Sequence, residues 1–132
     1  MIVVDTNVTT CLWLRGEFAA AAERWLRDDP VWAVAVLWRS EFRNVLAGFV
    51  KRKVCTLQHA IWIARQAEEQ FNGREFAPDS EAVLRLSNAS GCTAYDCEFV
   101  ALARMLGVRL VTNDRGILRS FAGIAVPLES HQ

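Results

Sequence analysis

Ile2-Val3-Val4-Asp5-Thr6-Asn7 is the stretch on which the reading of this chain turns. Three consecutive apolar, β-favouring residues have the pattern of a strand buried on both faces. Asp5, Thr6 and Asn7 are all good helix caps, so strand gives way to helix at an acid. Asp114 likewise follows a strand-like run, Arg109-Leu110-Val111-Thr112-Asn113. Two further acids open amphipathic stretches, Glu41 in Glu41-Phe42-Arg43-Asn44-Val45-Leu46 and Asp96 in Asp96-Cys97-Glu98-Phe99-Val100-Ala101-Leu102-Ala103. In a parallel α/β sheet, strand ends and the helix starts near them share one rim, where such folds build their sites.

Working outward, the elements alternate. A short helix is expected to Leu14, with Gly16 as its stop, then a helix from Phe18 to Leu26 closed by Asp28-Asp29-Pro30. Val31 to Val36 reads as the second strand. Ser40 is expected to cap a helix from Glu41 to about Lys53, and a third strong helix runs from Thr56 to Phe71, closed by Gly73. Arg74 to Ala77 is a weak strand, and Ser80 is expected to cap a helix from Glu81 to Ser87, with Gly91 as its stop. Thr93 and Asp96 form a capping-box-like start for a helix to Leu106, which Gly107 ends. Val108 to Thr112 and Ile124 to Leu128 are the late strands, the second at an edge. The pattern predicts one α/β domain over residues 1–132, with a central parallel sheet of about four to five strands flanked by helices on both faces.

Composition narrows the classes. With 132 residues, the chain buries about two-thirds of the surface its unfolded form exposes. The apolar share of 52% suits a sheet covered on both faces. Lys+Arg and Asp+Glu both number 15, so bulk charge supplies no footprint for nucleic acid or an anionic membrane, and any such contact must use a local patch. Near-zero charge also favours self-association. The longest apolar run, Val31 to Trp38, falls far short of the ~18 residues of a membrane span, and the first residues lack a secretory pattern. Cys11, Cys55, Cys92 and Cys97 show no C-x-x-C spacing, and only His59 and His131 could join them, which argues against zinc. Reduced thiols in a cytoplasmic protein are the expectation.

Each acid alone has an ordinary explanation as a helix cap, a dipole partner or a turn residue. Their conjunction on one rim points further, because four gathered carboxylates repel one another unless a divalent cation sits among them. Thr6, Asn7, Thr112 and Asn113 add oxygen ligands and supporting hydrogen bonds. An all-oxygen set selects Mg²⁺ or Mn²⁺ over zinc or copper. Such a site suits phosphodiester hydrolysis, in which a cation acidifies a bound water and neutralises phosphate charge. One carboxylate not fully used as a ligand can orient or deprotonate that water.

Met1-Ile2-Val3-Val4-Asp5-Thr6-Asn7, Trp38-Arg39-Ser40-Glu41-Phe42-Arg43-Asn44-Val45-Leu46, Ala94-Tyr95-Asp96-Cys97-Glu98-Phe99-Val100-Ala101-Leu102-Ala103 and Leu110-Val111-Thr112-Asn113-Asp114, in this order, resemble PIN-domain ribonucleases, above all VapC-type toxins of toxin–antitoxin pairs. The likeness runs from Met1 to about Leu128. It implies Mg²⁺- or Mn²⁺-dependent endoribonuclease activity, a homodimer, and a cognate antitoxin whose segment covers the acidic pocket. Carried over by motif, Asp5, Glu41, Asp96 and Asp114 form the catalytic and metal-binding quartet, supported by Thr112. Glu98 stands ~200° around the helix from Asp96 and is expected outside the innermost ligand set or on the surface. The polar Thr9-Thr10-Cys11 departs from the apolar run expected in the family.

Arg39, Arg43 and Arg115 are candidate holders of the RNA backbone, with Lys51-Arg52-Lys53 and Arg119 further off; such contacts position a substrate without reading its sequence. The Lys51-Arg52-Lys53 cluster also fits a solvated helix end. Trp25 and Trp32 fall in core positions, whereas Trp13, Trp38 and Trp62 are open to a dimer or antitoxin surface. Rival Mg²⁺-using folds fit less well. A phosphate receiver wants paired acids after its first strand and a late lysine, but Asp5 stands alone and the only lysines are Lys51 and Lys53. An aspartyl phosphohydrolase wants a second Asp where Asn7 stands. A housekeeping RNA-processing nuclease of the same fold, or a binding module whose pocket has lost its ion, remain as alternatives.

Overall fold

The computed structural model describes residues 1–130. His131 lies outside the described residues, as does the last position of the predicted domain. The chain runs β1 (Ile2–Val4), α1 (Thr6–Leu14), α2 (Ala19–Asp28), β2 (Trp32–Ala35), α3 (Trp38–Lys51), α4 (Leu57–Gln70), β3 (Glu75–Phe76), α5 (Ser80–Ser90), α6 (Ala94–Leu106), β4 (Leu110–Thr112), α7 (Arg115–Ser120), β5 (Ala125–Pro127) and a closing 3-10 turn, Leu128–Ser130. The strands form one five-stranded sheet in the order β3-β2-β1-β4-β5. Every pairing is parallel, with Ile2 opposite Trp32, Val3 opposite Leu110, Val34 opposite Glu75 and Leu110 opposite Ala125.

β1 is the central strand, and Ile2, Val3 and Val4 are all buried, as a strand between two helical layers requires. Helices surround the sheet, and none among the described residues is long and apolar enough to cross a membrane. Trp25, Trp32 and Trp38 belong to the core. The Trp38 ring meets Phe71 edge-on at 4.8 Å, and Trp25 Nε1 donates to the Leu128 carbonyl at 2.8 Å. Trp38 is therefore closed to a docking partner, whereas Trp62 is 54% exposed.

Several boundaries differ from the sequence expectation. Ser40 caps nothing: α3 begins at Trp38, after Leu37, whose backbone is already right-handed helical (φ −56°, ψ −26°) and supplies no side-chain cap. Packing of Trp38 on Phe71, with its Nε1 donating to Glu75 Oε1 at 2.6 Å, fixes that start in place of a cap. Asp79, not Ser80, caps α5 by accepting from the Ala82 amide at 3.1 Å, and the helix continues to Ser90. Arg15, not Gly16, takes the left-handed conformation that ends α1 (φ 50°, ψ 50°). α7 has no counterpart in the sequence reading, which places no element between Thr112 and Ile124.

Candidate active site

Asp5 leaves the end of β1 and caps α1. Its Oδ1 accepts from the Thr6 amide at 2.8 Å, and its Oδ2 accepts from Thr112 Oγ1 at 2.7 Å and from Asn7 Nδ2 at 3.4 Å. Only 6% of Asp5 is exposed. Burial lifts its carboxyl from the ordinary 3.8 to about 6; the Thr112 and Thr6 hydrogen bonds oppose that rise, while the negative charges of Glu41 and Asp96 add to it.

Two threonines join Asp5 to the neighbouring elements. Thr6 Oγ1 donates to Glu41 Oε1 at 2.6 Å, tying the first turn of α1 to the first turn of α3. Thr112, the last residue of β4, donates to Asp5 through the same Oγ1 that accepts from the Asp114 amide at 3.0 Å. Asn7 crosses the same gap, with Oδ1 accepting from the Asn113 amide at 3.2 Å and Nδ2 donating to Thr112 Oγ1 at 3.5 Å. Parallel pairing of β1 with β4 brings these residues together. Thr6, Asn7 and Thr112 enter this network through their side chains, and Asn113 through its backbone amide alone.

Asp114 caps α7, its Oδ1 accepting from the Ile117 amide at 2.9 Å. Gly116 is explained by that cap, since a Cβ there would stand 3.1 Å from Asp114 Oδ1. Asp96 lies in the first turn of α6, its amide donating to the capping Thr93 Oγ1 at 3.1 Å. Burial raises the Asp96 carboxyl, as does the charge of Asp114, while a Thr93 hydrogen bond lowers it. Burial likewise raises Glu41, with the Thr6 hydrogen bond opposing and the charges of Asp96 and Glu98 adding to the rise. These mutual repulsions bring Asp5, Glu41, Asp96 and Asp114 into one electrostatic cluster.

Glu98 lies beside this cluster, outside the four acids, as its place on the helix leads one to expect. It is partly buried, burial raises its own carboxyl, and its charge acts on Glu41. Glu41, which feels its charge, approaches from another helix. A usable signal was in the sequence: Glu98 is an acid set among Cys97, Phe99 and Val100, which are all buried.

The basic candidates are arranged otherwise. Arg39 makes a two-pronged contact to Glu75, Nε and Nη2 each donating at 2.7 Å, and its Nη1 lies 3.6 Å from Glu68. Arg43 faces Glu68 at 3.9 Å. Arg115 is exposed at the start of α7, with no carboxylate at ion-pair distance among the described residues. None of the five site carboxylates has a cationic partner among the described residues either.

The donor set fits a hard divalent cation in chemistry and in charge, because it offers hydroxyl oxygens beside carboxylates whose mutual repulsion no cation among the described residues relieves. Among the described residues, no three His, Cys, Asp or Glu side chains stand close enough together to form a ready-made metal-binding group. Ordinary protein architecture pairs buried charges, so an unpaired acidic cluster at the carboxyl rim of a parallel sheet is a candidate functional site.

The fold and this rim define an α/β protein with a carboxylate site on its central strand. Residues 2–123 match the PIN-domain family, and the chain belongs to it. It is 26% identical to Ribonuclease VapC3 of Pyrobaculum aerophilum over 129 residues, covering 96% of this chain and 98% of that relative. The fold is similar to that of a toxin–antitoxin complex from Klebsiella pneumoniae (TM-score 0.71, 22% identity, 97% of this chain and 98% of that one). It is also similar to FitAcB from Neisseria gonorrhoeae (TM-score 0.73, 19% identity, 98% and 99%).

Proposed function

We propose that this chain is a Mg²⁺- or Mn²⁺-dependent endoribonuclease and the toxin of a toxin–antitoxin pair, held in check by a cognate antitoxin over the acidic rim and working as a homodimer. The observation that carries the catalytic reading is the buried Asp5 carboxylate, joined through Thr112 and Thr6 to the elements bearing Asp114 and Glu41, with no cation paired to it among the described residues. Membership of the PIN family and the likeness to a relative named a ribonuclease support the activity. The likeness to a solved toxin–antitoxin complex supports the partner.

Asp5, Glu41, Asp96 and Asp114 would hold the ion, which when bound lowers the pKa of water and offsets phosphate charge. Thr112 and Thr6 fix the carboxylates that they touch. Glu41 is anchored through Oε1 alone, which leaves Oε2 to take a proton from the attacking water. Asp114 spends Oδ1 on the Ile117 amide and offers Oδ2. Arg115, exposed beside Asp114, is the basic side chain best placed to meet substrate phosphate. Arg39 and Arg43 act through Glu75 and Glu68 to hold the α3 turn that carries Glu41.

Cleavage of a mixed cellular RNA pool tests this reading, comparing wild type with Asp5→Asn in Mg²⁺, in Mn²⁺ and in chelator. Discrete fragments that require both the metal and Asp5 are expected. Equal cleavage by Asp5→Asn would overturn the assignment.

A further inference from the structure

We propose that the groove along the second half of α3 is a binding subsite for single-stranded RNA, continuous with the acidic rim. The proposal rests on the nuclease reading of that rim and extends the path of its substrate. Glu41, Gly48 and Arg52 are separated by seven and four residues. At 3.6 residues per turn these offsets return to within about 20° of the direction of Glu41, and at about 1.5 Å per residue they lie ~10 and ~16 Å along the axis from it. A line from Glu41 through Gly48 to Arg52, the residue that caps the C-terminus of α3, therefore joins the site to the groove.

The groove has a volume of about 390 Å³ and is lined in part by Asn44, Ala47, Gly48, Phe49, Lys51 and Arg52. Its floor is Gly48. A Cβ at that position would stand 3.2 Å from Arg52 Nη1, so glycine lets the guanidinium lie low against the helix. There the guanidinium covers Phe49, 5.1 Å from the ring centroid. A flat guanidinium backed by an aromatic ring is a platform on which an unpaired base stacks.

Charge singles out the same place. Lys51, Arg52 and Lys53 are exposed, and none has a carboxylate at ion-pair distance among the described residues, whereas Arg39 and Arg43 at the other end of α3 face Glu75 and Glu68. One cation is enough to complement a helix end; three unmatched cations in a row are not explained by it. The turn that holds them is pinned, with the Lys53 amide donating to the Val50 carbonyl at 3.0 Å and the Val54 amide to the Phe49 carbonyl at 2.9 Å. On a chain of zero net charge, this is a local footprint for a polyanion. The stacking platform favours RNA over an acidic polypeptide.

The test is anisotropy of a labelled single-stranded 12-nucleotide RNA with the whole chain in chelator, so that binding is read without cleavage. Replacing Lys51 and Arg52 together by Gln is expected to weaken binding about tenfold or more at 0.1 M salt. It is also expected to flatten the dependence of log affinity on log salt by about 1.4, two phosphate contacts at about 0.7 each. Lys53→Gln, beyond the helix, is expected to flatten it by about 0.7. Phe49→Leu keeps an apolar side chain and loses the ring; it is expected to weaken binding about fivefold with the salt slope unchanged. Unchanged affinity and slope in Gln variants that unfold at the wild-type temperature would overturn the subsite. So would poly-glutamate competing as well as RNA at matched charge, which would make the groove a dock for an acidic protein. Cleavage indifferent to Asp5 overturns the nuclease reading alone; binding indifferent to Lys51, Arg52 and Lys53 overturns the groove alone.

Discussion

Asp5 sets the pH behaviour of the metal-free protein. Its carboxyl is raised from 3.8 to about 6 by burial, so the folded state retains a proton that the unfolded chain gives up. The stability linked to this group is complete below about pH 3.8 and is lost as pH rises through about 6. In chelator at pH 7.5, Asp5→Asn is therefore expected to be more stable than wild type by about 1–3 kcal/mol in urea unfolding, with the difference fading near pH 4. Wild type losing to the variant at pH 4 but not at pH 7.5 would contradict the sign. Thr9 supplies a second test at this scale. Its Oγ1 is buried and has no hydrogen-bond partner among the described residues, so Thr9→Val, which keeps the shape, is expected to stabilise by about 1 kcal/mol in the same assay. The polar Thr9-Thr10-Cys11 run thus has a local cost at Thr9, while Thr10 Oγ1 donates to the Thr6 carbonyl at 3.0 Å.

At the level of the element, Thr112 holds Asp5 and the Asp114 amide with one hydroxyl. Thr112→Val is expected to cost about 1–3 kcal/mol, because it leaves buried polar atoms unpaired, and to reduce cleavage, while Thr112→Ser keeps both. Arg39→Ala is expected to lower stability by less than about 1 kcal/mol, since that pair is partly solvated, and to reduce cleavage more than stability by loosening the turn that carries Glu41. Turnover beside urea midpoints checks both. The sequence revealed the acids because each follows a short-range signal, an apolar run ending in a cap or an amphipathic stretch beginning at one. It did not reveal the start of α3, which lacks a capping side chain and is set by Trp38 against Phe71, distant in sequence. It missed α7 because six residues, Arg115–Ser120, are too short a run for an apolar periodicity to stand out. The Arg39–Glu75 contact spans 36 positions, beyond any local pattern, and the α3 arginines could not be told apart from free cations.

For the molecule as a whole, an ion that binds only the folded rim stabilises it by mass action. A hundredfold excess over Kd is worth about 2.7 kcal/mol, so Mg²⁺ or Mn²⁺ is expected to raise the melting temperature of wild type and not of Asp5→Asn. That gain is expected to shrink below about pH 6, where protons compete for Asp5. A melting temperature indifferent to the ion at pH 7.5 would count against the metal. The sheet order β3-β2-β1-β4-β5 carries one more consequence, in time. The first strand made is the central one, and its partner β4 is made late: Asp5 and Thr112 are 107 positions apart. At about 5–20 residues per second, a ribosome needs on the order of 5–20 s to pass from one to the other. Throughout that interval Asp5 lacks the hydroxyl that orients it and Asp114 does not yet exist, so with the proposed acidic site a nascent or interrupted chain would be silent inside the cell that is making it.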